Sequence, residues 1–212
     1  MSSLIKKFKK EQHKLGEKVE LKDSFSKVKT IAGVDQTFVD DKIISGIIVL
    51  DMQTNEVIEK KYAIVEATVP YIPAFRGFRE GPAIIEAFNK LENKPDLLMI
   101  DGHGVAHPRK IGLASYVGLL LDVPTIGISC KLVDGKIEEG KIYFEKDLRG
   151  FEVKTKEFAK PVYISPGHKI GLGSSLKITQ ETLKGHKLPE PLQLAHRYVN
   201  KIKKKLIKKN SK

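Results

Sequence analysis

The sequence predicts an α/β fold: a mixed five-stranded sheet, three antiparallel strands and then parallel strands, flanked by helices. Three observations predict it. Three apolar, β-branched runs near the N-terminus are separated by short polar turns, the pattern of an antiparallel meander. Segments of helical and strand period then alternate, which calls for right-handed crossovers onto parallel neighbours. The chain of 212 residues, 41% hydrophobic and 30% charged, has the size and balance of one ordinary globular domain.

Each element follows from its residues. Residues 1–27 read as a basic amphipathic lead-in helix and a loop. Residues 29–39 (KTIAGVDQTFV), 42–50 (KIISGIIVL) and 56–65 (EVIEKKYAIV) are the three meander strands. Residues 78–91 carry Ile84, Ile85, Phe88 and Leu91 on one helical face. The short apolar runs 96–100 (DLLMI) and 124–129 (PTIGIS) read as buried strands, with a buried helix over 111–121 between them. A further strand is expected at 161–164 (PVYI), and helices at 174–183 and 191–208. Residues 1–212 are expected to form a single domain, with the lead-in and a basic tail at 201–212 as extensions. This strand order is the one found in ribonuclease H-like nucleases, and order alone does not fix function.

The formal net charge is +12, from 38 basic and 26 acidic residues. Such a surplus attracts phosphate backbones, although a lysine-rich surface also serves solubility. Cys130 is the only cysteine, so no intrachain disulfide can form. The N-terminus is too polar for a signal peptide, and no run approaches the about 20 apolar residues of a membrane span. These features predict a cytoplasmic monomer that engages no membrane.

The chemistry is expected from carboxylates. Asp35 interrupts an apolar strand, and Asp101 directly follows another. Adjacent core strands would aim both at one spot, where two ionised carboxylates need a cation between them. Hard oxygen ligands suit Mg²⁺ or Mn²⁺. Either residue alone also fits a surface or turn aspartate. Glu80 lies near a helix start, where the dipole equally explains it. The stretch 101–115 (DGHGVAHPRKIGLAS) adds His103, His107 and Arg109 in a glycine-flanked loop open to a flat base. In residues 69–75 (VPYIPAF), Pro70 and Pro73 stiffen the tip that carries Tyr71 and Ile72, which fits a wedge or a structural turn. Lys131 and His196 can reach the acids, or can be surface and packed residues. The histidines and the cysteine show no zinc-module spacing.

The runs IAGVDQTF, VPYIPAFRGFRE, DGHGVAHPRKIGLAS with VPTIGISCK, and PVYISPGHKIGL, in that order, resemble the endonuclease V family of inosine-directed nucleases. The resemblance spans residues 28–200. It implies a ribonuclease H-like fold and dependence on Mg²⁺, with Mn²⁺ as a substitute. It also implies incision at the second phosphodiester 3′ to a deaminated adenine, leaving 3′-hydroxyl and 5′-phosphate ends. Asp35 and Asp101 then match metal ligands, with Glu80 a third acid acting directly or through water. Lys131 and His196 match positions near the reaction centre. Pro70, Tyr71, Ile72 and Pro73 match the wedge that fills the gap left by the rotated base. Gly102, Gly104 and Leu113 match the wall of the base pocket, to which Ala74 is added. The chain departs from the family in three places: Ala74 where glycine is common, His103 where an uncharged residue is frequent, and Tyr116 where many relatives have histidine. The motifs do not separate inosine in DNA from inosine in single-stranded RNA. A nucleic-acid-binding module without catalysis is a further reading, which the intact acids argue against.

Overall fold

The fold is that of a computed structural model which describes residues 2–210, with side chains over 3–208; the last two residues of the basic tail lie outside the described residues. Helix α1 (Ser2–Gly16) leads into the meander β1 (Thr30–Val39), β2 (Lys42–Asp51) and β3 (Val57–Glu66). Then come α2 (Arg76–Asn89), β4 (Leu97–Asp101), α3 (Leu113–Leu121) and β5 (Thr125–Ser129). Three short strands follow: β6 (Lys136–Glu138), β7 (Lys141–Phe144) and β8 (Asp147–Val153). Strand β9 (Val162–His168) and helices α4 (Leu172–Glu181) and α5 (Glu190–Asn210) complete the described chain. Among the described residues, no helix is long and apolar enough to cross a membrane.

The sheet order is β3-β2-β1-β4-β5-β9-β8-β7-β6. The five strands expected from the sequence form its first part: β1, β2 and β3 are antiparallel, and β4 and β5 run parallel to β1. The sheet does not end at five strands. Strand β9 adds antiparallel to β5, and a β6–β8 meander extends it to nine. Strand β9 is the one expected at 161–164, whereas β6, β7 and β8 escape a reading by hydropathy because β6 is exposed throughout and charges interleave all three. Their turns carry the missing signal. Glu139 and Gly140 both have positive φ between β6 and β7, the backbone of a tight hairpin turn.

Period-two alternation sends successive side chains to opposite faces. Ala32, Val34, Ile47, Val49, Leu98 and Ile100 pack beneath α2 and α3. Ile31, Ile48, Leu50, Leu97 and Met99 pack on the other face, with Leu192 and Tyr198 of α5. By the same parity, Asp35 and Asp101 belong to the α5 face. The register that brings them level is fixed at the opposite end of the strands. There the Asp96 carboxylate accepts from the backbone N–H groups of Lys29 and Thr30, at 2.8 and 2.9 Å.

Helix α5 reaches this face because β1 and β2 are bare beneath it. A side chain at Gly33 would run into the Pro191 carbonyl, and one at Gly46 into Val199 and Tyr198. Gly33→Ala should therefore lift α5 and cost about 1–3 kcal/mol. A lower urea midpoint at unchanged m-value would register the loss.

Candidate active site

Strands β1 and β4 are parallel neighbours with Val34 level with Ile100, so Asp35 and Asp101 are the next pair along. Asp35 is 4% exposed. Its Oδ1 accepts from the Gln36 N–H at 2.7 Å, and its Oδ2 faces His196 Nδ1 at 2.8 Å. The Asn200 amide lies 3.2 Å from His196 Nε2. With that amide donating to Nε2, the ring proton sits on Nδ1 and is donated to Asp35. Asp101 is pushed up to about 7, first by burial and then by the Asp35 carboxylate, against the pull of Arg76. Two carboxylates this close cannot both ionise cheaply without a cation.

Glu80 is brought near but not to the same spot. It is fully buried, and both of its oxygens are taken by Arg76: Nε to Oε1 at 2.8 Å and Nη2 to Oε2 at 2.7 Å. Arg76 Nη2 also reaches the Asp101 carbonyl at 3.3 Å. The guanidinium thus stands between Glu80 and the aspartate pair. Among the described residues, no three His, Cys, Asp or Glu side chains converge as a metal cage. The donor set that fits a hard divalent cation is the Asp35–Asp101 pair, open on one side to further oxygen ligands.

Beside the acids lies a small cavity of about 20 Å³, lined by Ala74, Gly77, His103, His107, Leu113 and Val133 among others. That space suits one water. Ala74 and Leu113 stand in its wall. Gly102 and Gly104 do not; they stand one layer behind. A Cβ on Gly102 would meet Leu113 at 2.9 Å, and one on Gly104 would strike the Pro166 carbonyl. Their bare backbones let the loop pack tightly behind the wall. His103 and His107 line the cavity in their place. Burial holds His103 down at about 4, against a hydrogen bond to the Lys131 backbone. Burial holds His107 at about 3, against its bond to Ala74.

Ala74 adopts a left-handed backbone, φ 64°, which glycine adopts without the clash a Cβ brings. Its carbonyl is gripped from three sides. Gln12 Nε2 donates at 2.8 Å, His107 Nε2 lies at 3.0 Å and Arg109 Nη2 donates at 3.4 Å. Gln12 also accepts from Arg109 Nε at 2.5 Å. The lead-in helix α1 is thereby part of the pocket's support. Phe8 of the same helix stacks on Phe78, with ring centroids 4.2 Å apart. Next to Ala74, Tyr71 is 62% exposed, and Pro70 and Pro73 are exposed beside it. Lys131 lies just past β5, whose Ile128 is level with Asp101, and is exposed. Sequence reasoning missed Arg76, Gln12 and Asn200. An i,i+4 Arg–Glu spacing was the available signal for the first; the others depend on long-range packing.

The endonuclease V family profile matches residues 13–197. The chain is 43% identical over 198 residues to endonuclease V of Dictyoglomus thermophilum, covering 90% of this chain and 87% of that protein. The crystal structure of the Bacillus subtilis endonuclease V superposes with a TM-score of 0.84 at 33% identity, over 96% of this chain and 93% of that one. A Ciona intestinalis endonuclease V, in complex with a 23mer DNA containing an inosine followed by a ribo-adenosine, superposes at 0.87 with 25% identity. That match covers 97% of this chain and 99% of the other.

Removing Arg76 leaves a buried carboxylate unpaired, so Arg76→Ala should cost about 3–5 kcal/mol by urea denaturation. Adding Glu80→Gln should recover part of it.

The acid response has a definite sign. Unfolded histidines take up protons below about 6.5, which buried His103 and His107 refuse. Asp101 works oppositely, since the folded chain keeps a proton that the unfolded chain sheds above 3.8. Two imidazoles against one carboxyl leave the unfolded state about one proton ahead between pH 6 and 5. His168, also lowered by burial, adds to the same side. Stability should fall by about 1 kcal/mol per unit as pH drops through that window, measured with a chelator present. In His107→Asn the slope should flatten.

Proposed function

The chain belongs to the endonuclease V family, and we propose that it is a metal-dependent enzyme that finds deaminated adenine in DNA, as a repair incision. In this reading it hydrolyses the second phosphodiester 3′ to the inosine, leaving 3′-hydroxyl and 5′-phosphate ends. The observation that carries the reading is the Asp35–Asp101 pair: two carboxylates on adjacent parallel strands, one with its proton affinity raised by the other and by burial. Asp35 and Asp101 would hold Mg²⁺, or Mn²⁺ in its place. When bound, such an ion supplies charge stabilisation at the scissile phosphate and makes water a better nucleophile at neutral pH.

The chain's own residues do the rest. His196 orients Asp35, and Asn200 orients His196. Glu80 acts at one remove, holding Arg76 against Asp101. The four-carbon stem of Lys131 can meet a phosphate at the rim. An open groove of about 430 Å³ along α5, lined by His196, Arg197, Lys201, Lys204, Lys205 and Lys208 among others, offers the backbone a run of positive charge leading away from Asp35. Tyr71, stiffened between Pro70 and Pro73, is the wedge that fills the gap left by the extruded base. Hypoxanthine lacks the exocyclic amine of guanine, so a pocket that fits closely around hypoxanthine would exclude guanine by clash.

A second substrate has a specific observation behind it. The strand bound to the Ciona relative carries a ribonucleotide directly after the inosine. Inosine in single-stranded RNA is accordingly the alternative target.

The test is incision of end-labelled DNA and RNA oligonucleotides carrying one inosine, with the cut position mapped. Cleavage should fall at the second bond 3′ to inosine and need a divalent cation. Asp35→Ala should abolish cleavage and spare most of the binding, because phosphate contacts dominate affinity. Near wild-type cleavage by Asp35→Ala in Mg²⁺ would overturn the site.

A further inference from the structure

Within the cavity wall, one polar atom has no partner. His103 is 7% exposed, and its Nε2 is buried without a hydrogen bond. A buried nitrogen left unpaired costs free energy, which a water in the adjoining space or a donor on a ligand that displaces it would recover. The other histidine of the wall differs. His107 Nε2 is bonded to the Ala74 carbonyl, and its Nδ1 accepts from the Arg109 N–H at 3.2 Å. Of the two imidazoles facing the cavity, only His103 has a nitrogen to spare.

The character of that nitrogen follows the tautomer. With Nδ1 donating to the Lys131 carbonyl, the sense in which that backbone favours a proton on the ring, Nε2 is the acceptor. Its position is firm as well. His103 follows the end of β4 by two residues, its carbonyl accepts from the Ala114 N–H of α3 at 2.9 Å, and Gly104 N–H is tied to Ser165 Oγ at 2.9 Å.

We propose that His103 is a specificity-determining residue whose Nε2 accepts the N1–H of the extruded hypoxanthine. This rests on the functional reading above and names the group that would tell inosine from adenosine. Hypoxanthine presents a donor at N1. Adenine presents a lone pair there, which would face the lone pair of Nε2 and leave both unpaired. Sites that pair a buried polar group reject analogues lacking the partner far better than apolar pockets do. Guanine shares the N1–H, so its exclusion falls to cavity size and not to His103. A purine exceeds the present space, so the assignment requires the wall beside His103 to widen when a base enters.

The experiment compares wild type, His103→Leu and His103→Gln on single-stranded oligonucleotides with one deoxyinosine or one deoxynebularine, a purine with neither N1–H nor O6. Both kcat/KM in Mg²⁺ and affinity in chelator are measured. His103→Leu should lose about ten- to a hundredfold on inosine and little on nebularine, so the preference for inosine shrinks by that factor. His103→Gln, which keeps an acceptor, should restore most of it. A merely structural role would slow both substrates alike and leave the ratio intact; that result, or a full preference kept by His103→Leu, overturns the assignment. Should His103→Leu fail to fold, the same ratio is read on His103→Met. If wild type neither cuts inosine strands nor prefers them in binding, the functional reading itself falls and takes this assignment with it. A preference that survives loss of the imidazole removes His103 alone.

Discussion

Two carboxylates, one buried and one half-buried, on adjacent parallel strands and turned to the same face, are the constraint around which this molecule is built. Burial alone would neutralise them, and Asp101 indeed keeps its proton to about 7. Both oxygens of Asp35 are engaged, Oδ1 by the Gln36 N–H and Oδ2 by His196. In the proposed reading a divalent ion would take the place of the Asp101 proton. The apolar sheet lowers the polarity around the pair, and charge interactions strengthen as water is excluded.

Holding the pair in place takes elements far apart in sequence. Asp96 pins β4 to the start of β1, so the strands cannot slip. Gly33 and Gly46 let α5 lie against the sheet, which delivers His196 to Asp35. On the other face, Arg76 spends its fork on Glu80 and still reaches the Asp101 carbonyl. A buried ion pair of this kind is weak evidence for stability but fixes geometry well. The lead-in helix does for the pocket what α5 does for the acids. Through Gln12 it secures the Ala74 carbonyl in a backbone conformation that a non-glycine residue adopts at a cost.

Much of this was legible in the sequence for a definite reason. Asp35 and Asp101 declare themselves because a carboxylate beside β-branched residues violates local expectation. The five strands declare themselves because their burial is periodic. What stayed hidden has no such violation. The short strands β6–β8 look like loop because charges interleave them, and only the Glu139–Gly140 turn betrays the hairpin. Gln12 looks like any polar residue of a basic helix until Ala74 and Arg109 close on it. Gly102 and Gly104 do not line the small cavity, and their missing side chains allow close packing on Leu113 and Pro166. A glycine in a loop announces close approach without saying to what.

The departures from the family's common residues obey a spatial rule. Ala74 and His103 both line the small cavity. Tyr116, the third, lies over Gly77, which lines it too, and meets Phe78 edge-on at 5.3 Å. None touches Asp35. The carboxylates sit on strands whose register a single slip would destroy, so substitution there is confined. The cavity wall is carried by loops and by the first turns of α2 and α3, where one side chain can change without moving the sheet. The aspartate pair and the cavity wall are therefore mechanically separable in this fold. A side chain at 74, 103 or 116 can change while the two carboxylates, anchored in the core, stay as they are.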